Sequence, residues 1–600
     1  MGSTIDADAF DPELFGDTAT PRLSQLHGAL GTAREEITDL MFRNDVVTVR
    51  KHAAAGNGVA DDAAAFHAAR DAAGVAGTVV VPPGVYALST VTLSVPGQRW
   101  VIARGATLRL KAGANADLLV ITAPDVTVCG VGIIDGAKAA QTAECNCIHA
   151  TGADRLTISG VTVKDATNVG ILAHDASDVS IKGARVENTD KSAIVGFCTD
   201  VDVTGWDIQG VYVDRSAVVG HSGIQLVTNS TTGKRWQSGK VHGCTVVLHP
   251  AGTGLGIEIW GGGDGMSAVG NTVIGGAHGI SFDKQRDGSV SGNTCRGYSA
   301  FGIELAGCEN TTATGNTAVA GGNGTIGTGV AVNGTGGRNN SVIGNTCRNN
   351  NYGVFVIGNT GTAVTGNPVE SNAAGTVGIW IQNADHTTVR GNVLDGRGTG
   401  SIGALILDSS YVVFDGNPCR GWTAHWLQLA ATATNMDFVY IGRNPVSASG
   451  GHNIQQQNGF TIGERSQFDA TQDYSQHYWG GAHVLTNIGT QEHNAIVGWS
   501  TETPNGRIRA GAGSIVLHRH PHSAMTYPSG LWVKATPETD GTGWLPVSLV
   551  RSGPTADRPL RADGSALTTD HAGMSYFDTT INKAVWWSGA GWVDAAGAAA

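Results

Sequence analysis

Thirteen glycines, each opening a short run of alternating apolar residues, recur from Gly130 to Gly442 in this chain of 600 residues. Their spacing is mostly 22 to 30 residues, with one gap of 38 between Gly205 and Gly243. A unit of that length cannot bury its own apolar face, so a repeat of this period must stack on its neighbours and share a continuous core. The apolar runs are short, β-branched and bounded by glycine, which makes them strands rather than helices. The expected fold is therefore all-β: a right-handed parallel β-helix solenoid of about a dozen coils, each swelling by loop insertion where the spacing grows.

Composition agrees with a folded solenoid. Glycine, at 87 residues, is about twice its average share, whereas only 17 prolines and a hydrophobic content of 41% argue against a disordered Pro/Gly-rich chain. Seven of the repeat glycines are followed by asparagine, from Asn271, Asn293 and Asn316 to Asn417. Asparagine tolerates the left-handed backbone of a tight corner, and stacked amides can bond one coil to the next, so these residues are read as structural. The nine cysteines lie between Cys129 and Cys419, and Cys295, Cys347 and Cys419 share one repeat position. They are expected in a core stack. Cys145-x-Cys147 lacks a second pair at metal-ligand spacing, so neither a metal nor a cofactor is expected.

A formal charge of -12 disfavours a general nucleic-acid or anionic-membrane binder. No apolar run approaches the roughly 20 residues of a membrane span, so no membrane insertion is expected.

The ends differ from the repeat. In residues 1–46, Leu23, Leu26, Leu30, Ala33, Ile37 and Leu40 follow at spacings of three and four. This is the seam of a short coiled coil, marginal alone and stabilised in a bundle. It reads as a trimerisation stem, or as a cap on one end of the solenoid. The β-helix is assigned to 47–446, a C-terminal β-rich domain to 447–553, and a strand-turn-strand tail turning at Ile581-Asn-Lys583 to 554–600.

The segment Gly56-Asn-Gly-Val-Ala-Asp-Asp62, followed by Val81-Pro-Pro-Gly-Val-Tyr86, resembles the opening motif of the pectate-lyase-like superfamily of β-helices, to which many phage tailspikes and polysaccharide lyases belong. The C-terminal tail is similar to segments that end phage tail fibres and tailspikes. These resemblances imply a homotrimeric tailspike on a virion tail, attached to other tail or baseplate proteins. It would act outside the host cell on a bacterial surface polysaccharide: a capsule, exopolysaccharide or O-antigen.

A second glycine, as in Gly223-Ile, Gly256-Ile, Gly279-Ile and Gly302-Ile, opens another strand in each coil. Side chains alternate along a strand, so if the β-branched residue after glycine points inward, those two and four after glycine point outward. The outward positions are Gln225, then Glu258 and Trp260, Ser281 and Asp283, Glu304, Ala331 and Asn333, Phe355, Trp380 and Gln382. Three consecutive coils carry carboxylates. At about 4.8 Å per coil, the backbones of Glu258 and Glu304 should lie roughly 9 to 10 Å apart, with Asp283 roughly 8 Å from both.

Glycoside hydrolysis needs one carboxylic acid to protonate the leaving oxygen and one carboxylate to activate water or attack carbon; separations of about 6.5 to 9.5 Å suit inversion. Glu258 and Glu304 are the expected acid/base pair, with Asp283 as a second base or water holder. Gln225, Trp260, Phe355, Trp380 and Gln382 are the expected sugar contacts, and Lys284 and Arg286 would bind an anionic substituent. Two further readings stay open: a lyase acting by β-elimination on a uronate polymer, and a non-catalytic adhesin fibre. A rival patch comprises Asp190, Lys191, Asp214, Arg215 and His221, where Asn188-Thr-Asp190 and Gly220-His221 are similar to polygalacturonase motifs, without the paired aspartates at matching spacing.

Overall fold

The computed structural model describes residues 46–447, apart from 230, 232, 321–326, 372–373 and 431–438, then isolated strands up to 553 and most of 554–599. The expected stem, residues 1–46, lies outside the described residues except for Val46.

The chain is a parallel β-helix. Three long parallel sheets of 17, 16 and 15 strands run along it, and a coil visits them in turn: Ser267–Val269, Thr272–Ile274, then His278–Asp283. Along the third sheet successive coils pair without register shift, as in Ile257↔Ile280↔Ile303↔Val330↔Val354. The glycine pattern marks the second and third sheets and misses the first. The count of about a dozen coils is also low, because the early coils, such as that with Gly84–Leu88, are shaped by Pro82-Pro83 rather than by the repeating glycine corner. At the other end, Ile454–Gln456 and Gln467–Phe468 still pair in parallel with the stack, which carries it past residue 446.

The corner between the first and second sheets explains the Gly-Asn pair. The left-handed backbone belongs to the glycine, with φ of 63° at Gly270 and 62° at Gly344. A Cβ there would meet nothing within 4 Å, so conformation rather than space demands glycine. The asparagine does not take the left-handed turn expected of it. It points inward, is fully buried, and bonds to its counterpart on the next coil. Asn271, Asn293, Asn316, Asn345, Asn367, Asn392 and Asn417 each donate Nδ2–H to the next Oδ1 at 2.8 to 3.1 Å, ending on Asn444. Each also donates to a backbone carbonyl, such as Val241 O from Asn271. Every amide of this row is thereby satisfied, which burial requires.

The interior is filled by columns of Val, Ile, Leu and Cys. Cys295, Cys347 and Cys419 share one inward column of the second sheet and are free thiols, as the repeat suggested. The N-terminal end is covered by the helix Ala63–Ala73. Asp61 Oδ1 accepts the Ala63 N–H, while Asp62 turns back to accept from Ala55 and Gly56, fixing the preceding glycine loop. Phe66 of this helix packs against Tyr86 and Trp100.

Beyond the solenoid, five strands between Ala482 and Val547 form a mixed sheet, and four between Arg551 and Asp594 form another. In the latter, Ser575–Asp578 and Lys583–Trp587 pair antiparallel around the expected turn, whose Asn582 is left-handed. Buried Asp578 accepts the Thr580 and Ile581 N–H groups and pairs with Arg558 at 2.6 Å.

Candidate functional site

The third sheet presents two outward rows. One reads Val195, Gln225, Glu258, Ser281, Glu304, Ala331, Phe355 and Trp380, coil by coil in register. The second, two residues further along each strand, includes Phe197, Val227 and Trp260, then Asp283, Ala306 and Asn333. Several of these side chains are buried although they point away from the core: Val195 at 2% exposure, Ser281 at 6% and Glu304 at 8%. Neighbouring side chains on this face cover them, so they form its floor. Trp260, 46% exposed, stands up from it.

Glu258 and Glu304 occupy the same register position on strands two coils apart, with Ser281 between them. Their surroundings differ. Glu258 Oε2 accepts one short bond, from Ser222 Oγ at 2.6 Å. Burial pushes its carboxyl above the ordinary glutamate value, more than the Ser222 bond and nearby His278 lower it, and the charge of Asp283 adds to the rise. Burial acts on Glu304 in the same direction but is outweighed. His278 Nδ1 lies 2.8 Å from Oε2, Ser281 Oγ donates to Oε2 at 2.7 Å, and Asn333 Nδ2 donates to Oε1 at 2.8 Å. Together these hold the Glu304 carboxyl below its ordinary value. Two carboxyls of one type, on one row, are thus driven in opposite directions.

Asp283 follows from the adjoining coil, half-buried, with Oδ2 accepting the Gly261 N–H at 3.1 Å. Lys284 is exposed at the left-handed corner beyond it and makes no ion pair among the described residues. Arg286 does not join the strip. It lies on the short sheet that follows, where Nε and Nη2 hold Asp264 at 2.8 and 3.2 Å. On the far side of Glu304, Tyr352, Phe355 and Trp380 pack with ring centroids 5.0 to 5.8 Å apart. Gln382 lies in the second row, in register with Ile357. Trp380 Nε1 and Asn333 Oδ1 are buried and find no hydrogen-bond partner among the described residues, leaving a donor and an acceptor on the floor.

The rival patch is structural in character. Arg215 is fully buried, and its guanidinium donates to the carbonyls of Thr189, Asp190, Gly220 and His221. Lys191 pairs with Glu144 and Asp190 with Lys138. Asp214 caps Ser216, and Asn188 bonds Asp165.

Sequence reasoning places Ser281 and Asn333 on the strip without giving them a role, and it misses Ser222 and above all His278. The parity counted from glycine covers only residues after it, and His278 stands immediately before Gly279. Its register with Phe301 and Tyr352 places it on the same face.

Residues 237–417 match the family model described as periplasmic copper-binding protein (NosD). That stretch holds Cys244, Cys295, Cys308 and Cys347, all buried; burial pushes the last three thiols to about 12, so none offers a thiolate. No three His, Cys, Asp or Glu side chains among the described residues converge into a metal-ligand set. The residues do not fit a copper centre. No curated protein matches the chain. Among solved structures, the chain is similar to the A-module of the Azotobacter vinelandii mannuronan C-5 epimerase AlgE6 (15% identity, 70% of this chain and 97% of that one, TM-score 0.31). It is also similar to the Dettilon tailspike protein (17%, 58% and 66%, 0.40) and to DFA-IIIase from Arthrobacter chlorophenolicus A6 (14%, 60% and 95%, 0.38).

Proposed function

We propose that this face is a groove that binds a bacterial surface polysaccharide and cuts it by hydrolysis with inversion at the anomeric carbon. Glu258 is the general acid. Its raised affinity for a proton favours the acid form, which can pass that proton to the leaving glycosidic oxygen. Glu304, kept ionised by His278, Ser281 and Asn333, is the base that draws a proton from water as the water attacks from the opposite face. Asp283 orients that water. The observation that carries this reading is the opposite displacement of two carboxyls whose backbones stand roughly 10 Å apart.

Gln225 and Trp260 contact sugar on one side of the pair, and Phe355, Trp380 and Gln382 on the other. Elimination is the weaker reading, because it needs a cation to neutralise a uronate carboxylate. Arg286 is committed to Asp264, which leaves Lys284 alone for that role. The biological setting that fits is a homotrimeric phage tailspike, carried on the virion tail and acting at the host surface.

The test is digestion of a panel of capsules and O-antigens with mass-spectrometric analysis of the products. Hydrolysis adds one water per cut; unsaturated ends that absorb in the ultraviolet would identify a lyase. Intact polymers throughout would leave the adhesin reading.

A further inference from the structure

On the N-terminal side of Glu258 the groove floor continues. Ahead of Gln225 the first outward row reads His149, Leu172 and Val195, and the second reads Thr151, His174 and Phe197. Leu172 and Val195 point away from the core, yet are only 7% and 2% exposed. With Val169 and Phe197 they form an apolar cluster of their own, separate from the main core. The His174 ring stacks on Phe197 at 4.7 Å between centroids and 23° between planes, and the His149 ring follows at 5.6 Å.

These rings are held in place. His149 Nδ1 lies 2.6 Å from Asp117 Oδ2, while Asp117 Oδ1 accepts from both the backbone N–H and the side chain of Asn146. Burial raises the Asp117 carboxyl, but the bonds from His149 and Asn146 outweigh it, so Asp117 stays ionised. Nδ1 of His149 is thereby committed to Asp117, which leaves Nε2 as the ring nitrogen that can meet a hydroxyl. Burial, then the charge of neighbouring His149, lowers the proton affinity of His174 and favours an uncharged flat ring. Lys191 is paired with Glu144, Arg155 with Asp125, and Arg215 with carbonyls, so none of these three cations is free.

We propose that Phe197, His174 and the His149–Asp117 pair form a distal subsite for uncharged sugar rings of the polysaccharide held at Glu258 and Glu304. It rests on the reading of the groove as a polysaccharide site. Phe197 and His174 stand two and three coils before Glu258, roughly 10 and 14 Å away, and the Tyr352–Phe355–Trp380 cluster begins two coils beyond Glu304. The carboxyl pair thus sits between two aromatic arms, and a chain lying across both is cut internally.

The test uses the full chain carrying Glu258→Gln, so that substrate is not consumed, with calorimetric titration of purified neutral and uronate-bearing capsular polysaccharides and O-antigens. Addition of Phe197→Ala is expected to weaken binding of the recognised polymer roughly tenfold. Phe197→Leu should weaken it similarly while keeping the apolar volume, and His174→Phe should preserve it. Affinity unchanged by both Phe197 substitutions, or no polymer bound by the parent, overturns the subsite. Cleavage by the unsubstituted chain is scored separately. Binding that depends on Phe197 without cleavage keeps the subsite and removes the hydrolase; cleavage with affinity indifferent to Phe197 does the reverse.

Discussion

Two rows of polar side chains run along this solenoid in perfect register, and they are built on opposite rules. The asparagine row repeats one residue and one bond pattern on eight successive coils, each amide satisfied by the next. The groove row changes at nearly every coil: Gln225, Glu258, Ser281, Glu304, Ala331, Phe355. Repetition along a stack lets each coil satisfy its neighbour, so nothing is left over for a ligand. Where the repetition breaks, groups end up with unlike partners, and proton affinities diverge. A solenoid's architecture lies in its repeats and its chemistry in its irregularities.

The comparison is most sharply broken at Glu258. Glu258→Gln is expected to lower kcat by about a thousandfold, with the melting temperature unchanged or higher, since burial already favours the neutral carboxyl. A large loss of stability with activity retained would place Glu258 with the structural row. Asn345→Ala should do the opposite. Removing the partner of the Asn316 N–H groups and of the Ala313 carbonyl should cost about 2–3 kcal/mol in denaturant unfolding, with cleavage per folded molecule intact.

The pH profile tests the divergence itself. Cleavage should fall at the acid limb as Glu304 is protonated and at the alkaline limb as Glu258 ionises. His278→Gln removes a group that holds Glu304 down, so the acid limb should move upward while the alkaline limb moves less. Stability has the matching signs. The Glu304 contribution is present above its unfolded-state value and lost as pH falls through its lowered folded value. The Glu258 contribution is present below its unfolded-state value and lost as pH rises through its raised one. The smallest effect is expected at Arg286→Ala. With Arg286 exposed and paired to Asp264 on the short sheet outside the strip, cleavage should change less than twofold, with little change in the melting temperature. A large rise in KM would return Arg286 to the groove.

The parallel coils, the outward parity and the shared register of Glu258 and Glu304 are legible in the sequence because a repeat of fixed period converts position into direction. What the sequence does not carry is rotation and commitment. Arg286 looks available in the linear order until Asp264, 22 residues away on the preceding coil, claims it. Arg215 and His221 look like a second site, yet the guanidinium is spent on carbonyls. Asn271 is read correctly as structural but given the wrong conformation, because the adjacent glycine absorbs the turn. His278 precedes the glycine that marks its strand, where no parity reaches it.

The helix Ala63–Ala73, described above as covering one end of the core, also governs what this molecule can join. The end of a parallel β-helix presents unpaired strands from its three faces, each a template onto which a second solenoid could add without limit. By laying Phe66 across Tyr86 and Trp100, the helix covers the apolar end of the core and removes the hydrophobic gain of stacking a second solenoid there. Length in this fold is therefore written twice: in the number of repeats, and in the short segment that closes the core above the first of them.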